Sequence, residues 1–441
     1  MPPFWYRAAW ALARALAPLA PGDAKLARAM RGRAAAAGRL ASWAAAHRDP
    51  DRTLLWMHAA SVGEGRQAEA VLLRLRAARP AWQLVYTFLS PSAERLAASL
   101  PVDFAGYIPA DTPAEAGRAL DAVRPDALCF SATDVWPELV HQAARRGTRL
   151  ALVSANLAAR SSRLGPGERA LLRGAYTALD AVGAIDADDA ARLVGLGVAA
   201  DRVEVTGDAR HDAAHARAAG VDRRAPHLRA LAAGPADPRP IVVAGSTWPA
   251  DERRLLAAAG DVLRTGTPLR LVVAPHEPGA GHISALRDAA AALPGKVRVR
   301  TLTELEAATL SAGSTEGWDV CLVDRVGVLA ELYAAAAVAY VGGGFGRAGL
   351  HSVIEPAALG VPVLFGPRLH RSRDARLLLD AGGGLRVGDA AALERAAREW
   401  LGNEAARAAA GAAARAVVDR GRGAAQRSVG LLLELLERPA E

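Results

Sequence analysis

A two-domain α/β protein with mainly parallel sheets is predicted by three observations. The chain has 441 residues, apolar β-rich runs alternate with helical stretches, and a proline-rich break falls near the middle. One hydrophobic core rarely serves so long a chain, and strand/helix alternation favours a sheet covered by helices on both faces.

The N-terminus comes first. In Phe4-Trp5-Tyr6-Arg7-Ala8-Ala9-Trp10-Ala11-Leu12-Ala13-Arg14-Ala15-Leu16, a helical wheel at about 100° per residue puts Trp5, Leu12, Leu16 and Leu19 on one side and Arg7 and Arg14 on the other. Arg14 and Pro18 interrupt the apolar stretch, which is shorter than the roughly 20 residues a bilayer core requires. Residues 1–22 therefore read as an interfacial helix on an anionic membrane surface rather than a span or a signal peptide. The alternative is a helix docked on the protein's own domain.

Strands follow at Thr53–His58, Gln83–Phe88, Asp126–Phe130, Arg149–Val153, Ala181–Ile185 and Val203–Thr206. From Ala213 to Pro240 the rhythm breaks, with Pro226, Pro235, Pro238 and Pro240 and little apolar periodicity. Alternation resumes with Ile241–Gly245, Leu269–Ala274, Val297–Arg300, Asp319–Val323, Val338–Val341 and Val361–Phe365. The expected organisation is an anchor helix at 1–22, a first domain at 23–214, a linker at 215–239, a second domain at 240–420 and a C-terminal helix at 421–441. The last fifty residues, rich in Ala, Arg and Leu, are expected to be helical and to pack across the domains.

Composition excludes several classes. Cys129 and Cys321, the only cysteines, lie in apolar runs without Cys-x-x-Cys spacing, so neither a disulfide framework nor a zinc knuckle is available, and a reducing cytosolic compartment fits. The net charge is +8, and residues 1–52 hold nine Lys or Arg against three acids, so most of the excess lies there. A nucleic-acid binder would accompany that charge with aromatic platforms or a groove-reading helix, whereas four of the five aromatics in this stretch sit in the first ten residues. There is no His-Glu-x-x-His, Walker A lysine or Gly-x-Ser-x-Gly. Asp186-Ala187-Asp188 precedes a helical stretch and reads as an N-cap rather than a metal pair.

Ligands of parallel sheets bind outside the carboxyl ends of the strands, where the unusual clusters of this chain lie. After the first strand comes Ala59-Ala60-Ser61-Val62-Gly63-Glu64-Gly65-Arg66. Glu64 at a strand-to-helix turn can face an interdomain cleft as a general base, or simply complement its helix N-terminus. Gly207-Asp208-Ala209-Arg210 closes the first half, and Arg210 can pair with a carboxylate or phosphate. Ser246 and Thr247 end the first strand of the second half, where they can cap a helix or bond a phosphate, and His276 follows the next strand. Gly342-Gly343-Gly344-Phe345-Gly346 leads through Gly349 to His351, Ser352 and Glu355. Glycines admit an anion to backbone N–H groups, and i,i+4 spacing predicts His351 and Glu355 on one face of a helix.

Together these segments resemble the 3-deoxy-D-manno-octulosonic acid (Kdo) transferase family of lipopolysaccharide synthesis. The likeness runs through His58-Ala59-Ala60-Ser61-Val62-Gly63-Glu64, Thr133-Asp134-Val135-Trp136-Pro137, Gly207-Asp208-Ala209-Arg210, Ala244-Gly245-Ser246-Thr247-Trp248-Pro249, Ala274-Pro275-His276-Glu277 and the Gly-rich unit through Pro367. The sequence departs from the family pattern at Ala132, commonly acidic, at Ser352, commonly Asn, and at His276-Glu277, commonly Arg-His.

The resemblance implies a GT-B fold, two Rossmann-like domains with parallel sheets facing a central cleft. The first domain would take the acceptor, with Ser61, Gly63, Asp134 and Trp136 near it and Glu64 as catalytic base. The second would bind the nucleotide-sugar CMP-Kdo through Ser246, Thr247, His276, Gly343, Gly344, Gly349, His351, Ser352 and Glu355, with Arg210 joining from the first. The implied reaction inverts the anomeric carbon as a hydroxyl of a lipid A precursor displaces CMP. No cofactor or metal is implied, because one phosphate needs less charge compensation than a diphosphate. The implied place is the cytoplasmic face of the inner membrane, peripheral or monotopic, with an anionic membrane surface and no nucleic acid as partner. Two other readings remain at this stage: a GT-B transferase using a UDP-sugar, and a non-catalytic, membrane-associated nucleotide-binding protein. A dinucleotide dehydrogenase is disfavoured because no Gly-x-Gly-x-x-Gly opens the first strand–helix unit.

Overall fold

The computed structural model describes residues 2–16, 25–232, 237–312, 317–369 and 372–437. The chain divides into two α/β units, Met1–Ala213 with Gly421–Glu441, and Ala214–Arg420.

In the first unit, β1 (Leu54–His58), β2 (Gln83–Phe88), β3 (Phe104–Tyr107), β4 (Ala127–Ser131), β5 (Arg149–Ala155), β6 (Ala181–Ala184) and β7 (Val203–Val205) form one parallel sheet in the order β3-β2-β1-β4-β5-β6-β7. Leu54 and Trp56 point into one core with Leu128, Phe130 and Leu152, while Leu55 and Met57 point into the other with Cys129, Ala151 and Val153. Both faces are covered, which is why the strands read as continuous apolar runs rather than alternating ones.

The second unit repeats the scheme. Its strands are β8 (Ile241–Thr247), β9 (Arg270–Pro275), β10 (Val299–Thr301), β11 (Val320–Leu322), β12 (Val338–Val341), β13 (Val363–Phe365) and β14 (Gly384–Arg386), ordered β10-β11-β9-β8-β12-β13-β14, all parallel. In each sheet the direction of strand addition reverses at one place, between β1 and β4 and between β8 and β12. Loops leaving two strands on either side of such a reversal diverge and leave a crevice for ligand.

Two strands were not legible. Phe104–Tyr107 and Gly384–Arg386 lie on or near the sheet margins, are only four and three residues long, and contain Gly106 and Gly384, which weaken the apolar signal. The linker expected at 215–239 needs correction. It carries the end of the helix Arg210–Ala219 and the helix Pro226–Leu231, and Leu228, Ala230 and Leu231 are buried in the second unit's core. Pro226 occupies the first turn of that helix, where a missing N–H costs nothing, so it starts structure instead of ending it. Pro235 lies outside the described residues. At the C-terminus, the helix Ala424–Glu437 packs Ala425, Val429, Leu432 and Leu435 into a core of the first unit.

The N-terminal helix Phe4–Leu16 docks on the first unit by one face and exposes the other. Tyr6 donates to Asp111 Oδ2 at 2.6 Å, Arg7 makes a forked pair with Glu138 at 2.7 and 3.0 Å, and Trp10 lies edge-on to Trp136 with centroids 5.6 Å apart. Phe4, Trp5 and Leu12 are 85, 61 and 61% exposed. The docked alternative thus describes one side of this helix, and the other side is exposed. Arg7 is the correction: its charge is spent on a fully buried carboxylate and is not offered to a lipid surface. The side chains of Arg14 and Leu16, and Leu19 entirely, fall outside the described residues. Among those residues no helix is long and apolar enough to cross a membrane.

Candidate functional site

In the first unit the expected residues converge on the reversal between β1 and β4. Glu64 opens the helix Val62–Ala78, and its Oε2 accepts the backbone N–H of Ser61 at 3.0 Å, so the expected capping role is realised. The carboxyl is nonetheless unusual. Burial, and then the negative charge of Asp134 beyond β4, push its pKa up to about 7 against the opposing hydrogen bonds from Ser61. It has no ion-pair partner among the described residues. A carboxylate with those properties can hold or release a proton near neutrality, as a general base must.

The surrounding side chains fix its frame. Ser131 Oγ donates to the Glu64 carbonyl at 3.3 Å, and Asp134 is paired with Arg163. Gln67, one turn along the same helix, donates to Asp208 Oδ1 at 2.9 Å, while Asp208 Oδ2 accepts from Arg210 Nε at 2.9 Å. Arg210 is thereby tethered to the Glu64 helix although it follows the edge strand β7. Trp136 donates its indole N–H to His58 Nε2 at 3.0 Å, and His58 Nδ1 lies 3.1 Å from Thr87 Oγ1. An indole nitrogen only donates, so Nε2 is bare and the His58 proton sits on Nδ1. Complete burial pushes its pKa down to about 3, and the ring stays neutral. Gly63 is exposed, and a side chain there would meet nothing closer than Ser61 Oγ at 4.0 Å, so its absence is not forced by packing.

In the second unit the residues gather where β8 and β12 diverge. Ser246 interrupts the β8–β9 register with φ +51°, and its hydroxyl has no partner among the described residues. Ala132 after β4 and Ser154 in β5 are likewise left-handed, with φ +70° and +49°. Such backbone costs on the order of 1 kcal/mol or more for a residue with a Cβ; these three lie at or just past the carboxyl ends of strands, whereas Arg124, with φ +45°, caps the helix Pro113–Val123. Thr247 is not free to bond a ligand as expected: its hydroxyl donates to Glu252 Oε1 at 3.0 Å, and Glu252 Oε2 is 2.8 Å from His282 Nε2.

The helix expected to carry both His351 and Glu355 is shorter than the pattern suggests. It spans Ile354–Ala358, so His351 precedes it in an irregular segment and the two side chains do not share a helical face. Four consecutive residues from Gly349 to Ser352 lack helical hydrogen bonding, because Gly349 adopts φ +85° and the His351 N–H goes to the Gly342 carbonyl at 3.1 Å. Ser352 is exposed. Glu355 Oε1 accepts from Arg217 at 2.8 Å, which leaves Oε2 for a ligand, beside a small cleft lined by Ala214, Ala218 and Leu359.

The Gly-rich loop also differs from the expectation in part. The Gly343 N–H is taken by Asp251 Oδ2 at 3.0 Å, so it is not available to an anion. Asp251 is fully buried and also accepts from Tyr340 at 2.7 Å and from the Trp248 backbone at 3.0 Å, tying β12, the loop and the helix Pro249–Arg264 together. The N–H groups of Gly344 and Gly349 have no partner among the described residues. Gly344 is glycine because a Cβ would stand 2.7 Å from the Gly366 backbone. His276 stacks on His351 at 4.5 Å and on Trp248 at 4.9 Å, and Trp248 donates to His351 Nε2 at 3.0 Å. Burial, then the neighbouring His276, bring the His351 pKa down to about 4. Asp186 Oδ1 accepts the Asp189 N–H at 2.6 Å, so the Asp-x-Asp pair is a helix cap, as read.

Sequence reasoning missed Gln67, Arg163, Arg217, Trp248 and Asp251. Trp248 and Asp251 had a signal in the Ser-Thr-Trp-Pro-Ala-Asp turn, where a carboxylate three residues past the N-cap Trp248 sits at helix position N3. The others contribute through pairings across the chain that no local pattern encodes.

Comparison with known proteins decides the family. The sequence profile described as "3-Deoxy-D-manno-octulosonic-acid transferase (kdotransferase)" matches residues 5–213. A 3-deoxy-D-manno-octulosonic acid transferase of Bordetella pertussis is 33% identical over 398 residues, covering 87% of both chains. The chain belongs to the Kdo transferase family. A relative of the same description from Haemophilus influenzae is 29% identical over 388 residues, again 87% of each chain. Among solved structures, UDP-GlcNAc 2-epimerase from Neisseria meningitidis bound to UDP-GlcNAc superposes with TM-score 0.60 at 13% identity, covering 87% of this chain and 100% of that one. Acinetobacter baumannii MurG gives TM-score 0.55 at 16% identity, with 87 and 99% covered. At such identity these likenesses speak to the fold alone, and the fold is GT-B. This Kdo transferase family member is a glycosyltransferase.

Proposed function

We propose that the protein transfers Kdo from CMP-Kdo to a hydroxyl of a lipid A precursor with inversion at the anomeric carbon, and that Glu64 is the general base. The acceptor oxygen forms a bond to the anomeric carbon, the bond from that carbon to the phosphate oxygen breaks, CMP leaves with the electron pair, and Glu64 takes the acceptor's proton. The observation that carries this reading is the Glu64 carboxyl itself, raised to about 7 by burial and by Asp134 at the strand-order reversal of the first unit. A base with a pKa near the working pH combines a populated ionised form with a useful proton affinity.

The remaining residues support the same reading. The N–H groups of Gly344 and Gly349, the Ser246 hydroxyl and His351 would meet the leaving phosphate, and Glu355 Oε2 would accept from a ribose hydroxyl. Ser61, Gly63, Asp134 and Trp136 would border the acceptor. No cofactor or metal enters the scheme. Phe4, Trp5 and Leu12, exposed on a docked helix, would rest in the cytoplasmic surface of the inner membrane, with the exposed Arg28 and Arg39 nearby in sequence facing anionic lipid.

The test is direct. Purified protein is incubated with CMP-Kdo and a tetraacylated disaccharide acceptor, nucleotide release is followed and the product is weighed. Release of CMP with mass increments of one or more Kdo units is expected. Release of UDP from a UDP-sugar instead, or nucleotide binding with no transfer to any acceptor, would replace the proposal by one of the two alternatives.

A further inference from the structure

We propose that Trp248 is a positioning residue for the donor: by filling Nε2 of His351 with its indole N–H, it fixes the tautomer with the proton on Nδ1 and offers that N–H to an anionic oxygen of the nucleotide-sugar. The proposal rests on the reading of the second unit as the donor-binding one.

The geometry leaves little choice. The Trp248 Nε1 to His351 Nε2 distance is 3.0 Å, and because indole nitrogen has only a proton to give, the imidazole nitrogen facing it must be the bare one. A neutral imidazole then carries its proton on the other nitrogen. Nδ1 has no hydrogen-bond partner among the described residues, so this N–H is oriented and unspent. Two contacts hold the ring, and a glycine makes room for it. His276 stacks on it at 4.5 Å with 23° between planes, the His351 backbone N–H is bonded to Gly342, and Gly343 leaves room, since a Cβ there would come within 3.2 Å of the ring carbon Cδ2. Burial keeps the imidazole neutral around physiological pH, so it acts as a single aimed donor and not as a diffuse cation.

The site around it suits an anion. The free N–H groups of Gly344 and Gly349 belong to the same loop, and the free Ser246 hydroxyl precedes Trp248 by two residues. Both a phosphate and a sugar carboxylate present such an oxygen, and the ligands below separate them. Trp248→Phe keeps the stacking ring and removes only the indole N–H, which leaves the His351 tautomer free to exchange.

The experiment pairs a spectroscopic and a binding readout on the full-length protein. Nitrogen-15 NMR of the His351 ring reports which nitrogen carries the proton. In the wild type Nδ1 is expected to be protonated and Nε2 bare; in Trp248→Phe the Nε2-protonated form should appear. Titration calorimetry with CMP, cytidine and free Kdo reads the consequence. Roughly tenfold or more weaker CMP binding by Trp248→Phe, with cytidine unchanged, identifies the phosphate as the partner. Weakening confined to free Kdo identifies the carboxylate. A wild-type ring protonated on Nε2, or equal affinity of both proteins for all three ligands, overturns the proposal. If the wild type binds UDP and not CMP, the donor reading fails on its own, and the same comparison with UDP and uridine decides the role of Trp248.

Discussion

Trp248 and His351 stand 103 residues apart and share one hydrogen bond, indole N–H to imidazole Nε2 at 3.0 Å. The first unit repeats the arrangement with Trp136 and His58, also at 3.0 Å. In both, the tryptophan lies past the end of one strand and the histidine at or past the end of the other, on the two sides of the reversal in strand order. The two differ in what the second imidazole nitrogen meets. His58 Nδ1 is satisfied by Thr87 and the residue is fully buried, so that pair is a strut; His351 Nδ1 has no partner among the described residues, so that pair can serve a ligand.

Glu64→Gln separates chemistry from capping. Glutamine at the third helical position can still accept the Ser61 N–H, so the fold should persist, while the base is lost. Turnover should fall by about 10²- to 10⁴-fold with little change in donor affinity. In the wild type, activity should rise with pH through about 7 as Glu64 ionises. Stability should run the other way. The folded-state pKa lies above the ordinary carboxyl value, so this residue's contribution is full below pH about 4.5 and is lost as pH rises through about 7. The glutamine variant lacks that slope and should be more stable than the wild type above pH 7 by on the order of 1 kcal/mol. Thermal unfolding at several pH values checks it; equal turnover in the two proteins would remove Glu64 from the mechanism.

Asp251→Asn tests the knot under the Gly-rich loop. The carboxylate is fully buried and accepts three hydrogen bonds, from the Tyr340 hydroxyl and the Gly343 and Trp248 backbone N–H groups. An amide presents donors where donors already point, so at least one is left unsatisfied, at about 1–3 kcal/mol. A lowered urea midpoint and a raised KM for the donor are expected, with kcat less affected because Asp251 does not touch reacting atoms. An unchanged KM would mean that the loop holds its shape without this carboxylate.

How much of this was legible depended on range. Strands such as Leu54–His58 and Val338–Val341 announced themselves because burial on both faces demands continuous apolar runs, and the polar residues at their ends stood out against those runs. Phe104–Tyr107 escaped because Phe104 and Tyr107 flank Ala and Gly in a four-residue strand. The i,i+4 spacing of His351 and Glu355 suggested a helix, yet Gly349 in a left-handed conformation and the His351–Gly342 backbone bond hold the segment irregular until Ile354. The glycines were read as admitting an anion to backbone N–H groups; in the structure Gly344 lies against the Gly366 backbone, and a buried carboxylate 92 positions away claims the Gly343 N–H. Types and turns are local; the partner of a hydrogen bond is not.

Arg7→Met probes how the N-terminal helix is held. Glu138 is fully buried, and besides Arg7 it keeps only the Gln142 amide among the described side chains that bond its Oε1. Removing the guanidinium strands a buried charge, which costs about 3–5 kcal/mol when nothing compensates; with Gln142 still bonded, roughly 2 kcal/mol is expected. Glu138→Gln in the same background should recover much of the loss, because a neutral amide no longer needs a cation. A double-mutant cycle by denaturant unfolding measures both.

The outer face of the same helix makes a different prediction. Phe4, Trp5 and Leu12 contribute little to packing, being more than half exposed, so Trp5→Ser with Leu12→Ser should leave the unfolding midpoint within about 0.5 kcal/mol of the wild type. If that face rests in a bilayer, burying a large apolar side chain contributes on the order of 1.5–3 kcal/mol, and losing two should weaken binding to vesicles by at least tenfold. Co-sedimentation with vesicles containing anionic lipid reads this, and turnover on a short-chain, water-soluble acceptor should be unchanged. Because Arg7 is already committed to Glu138, the salt sensitivity of vesicle binding should be the same in Arg7→Met as in the wild type, whereas replacing the exposed Arg28 and Arg39 by glutamine should reduce it. Vesicle binding that survives the double serine variant would leave the docked helix a purely structural one.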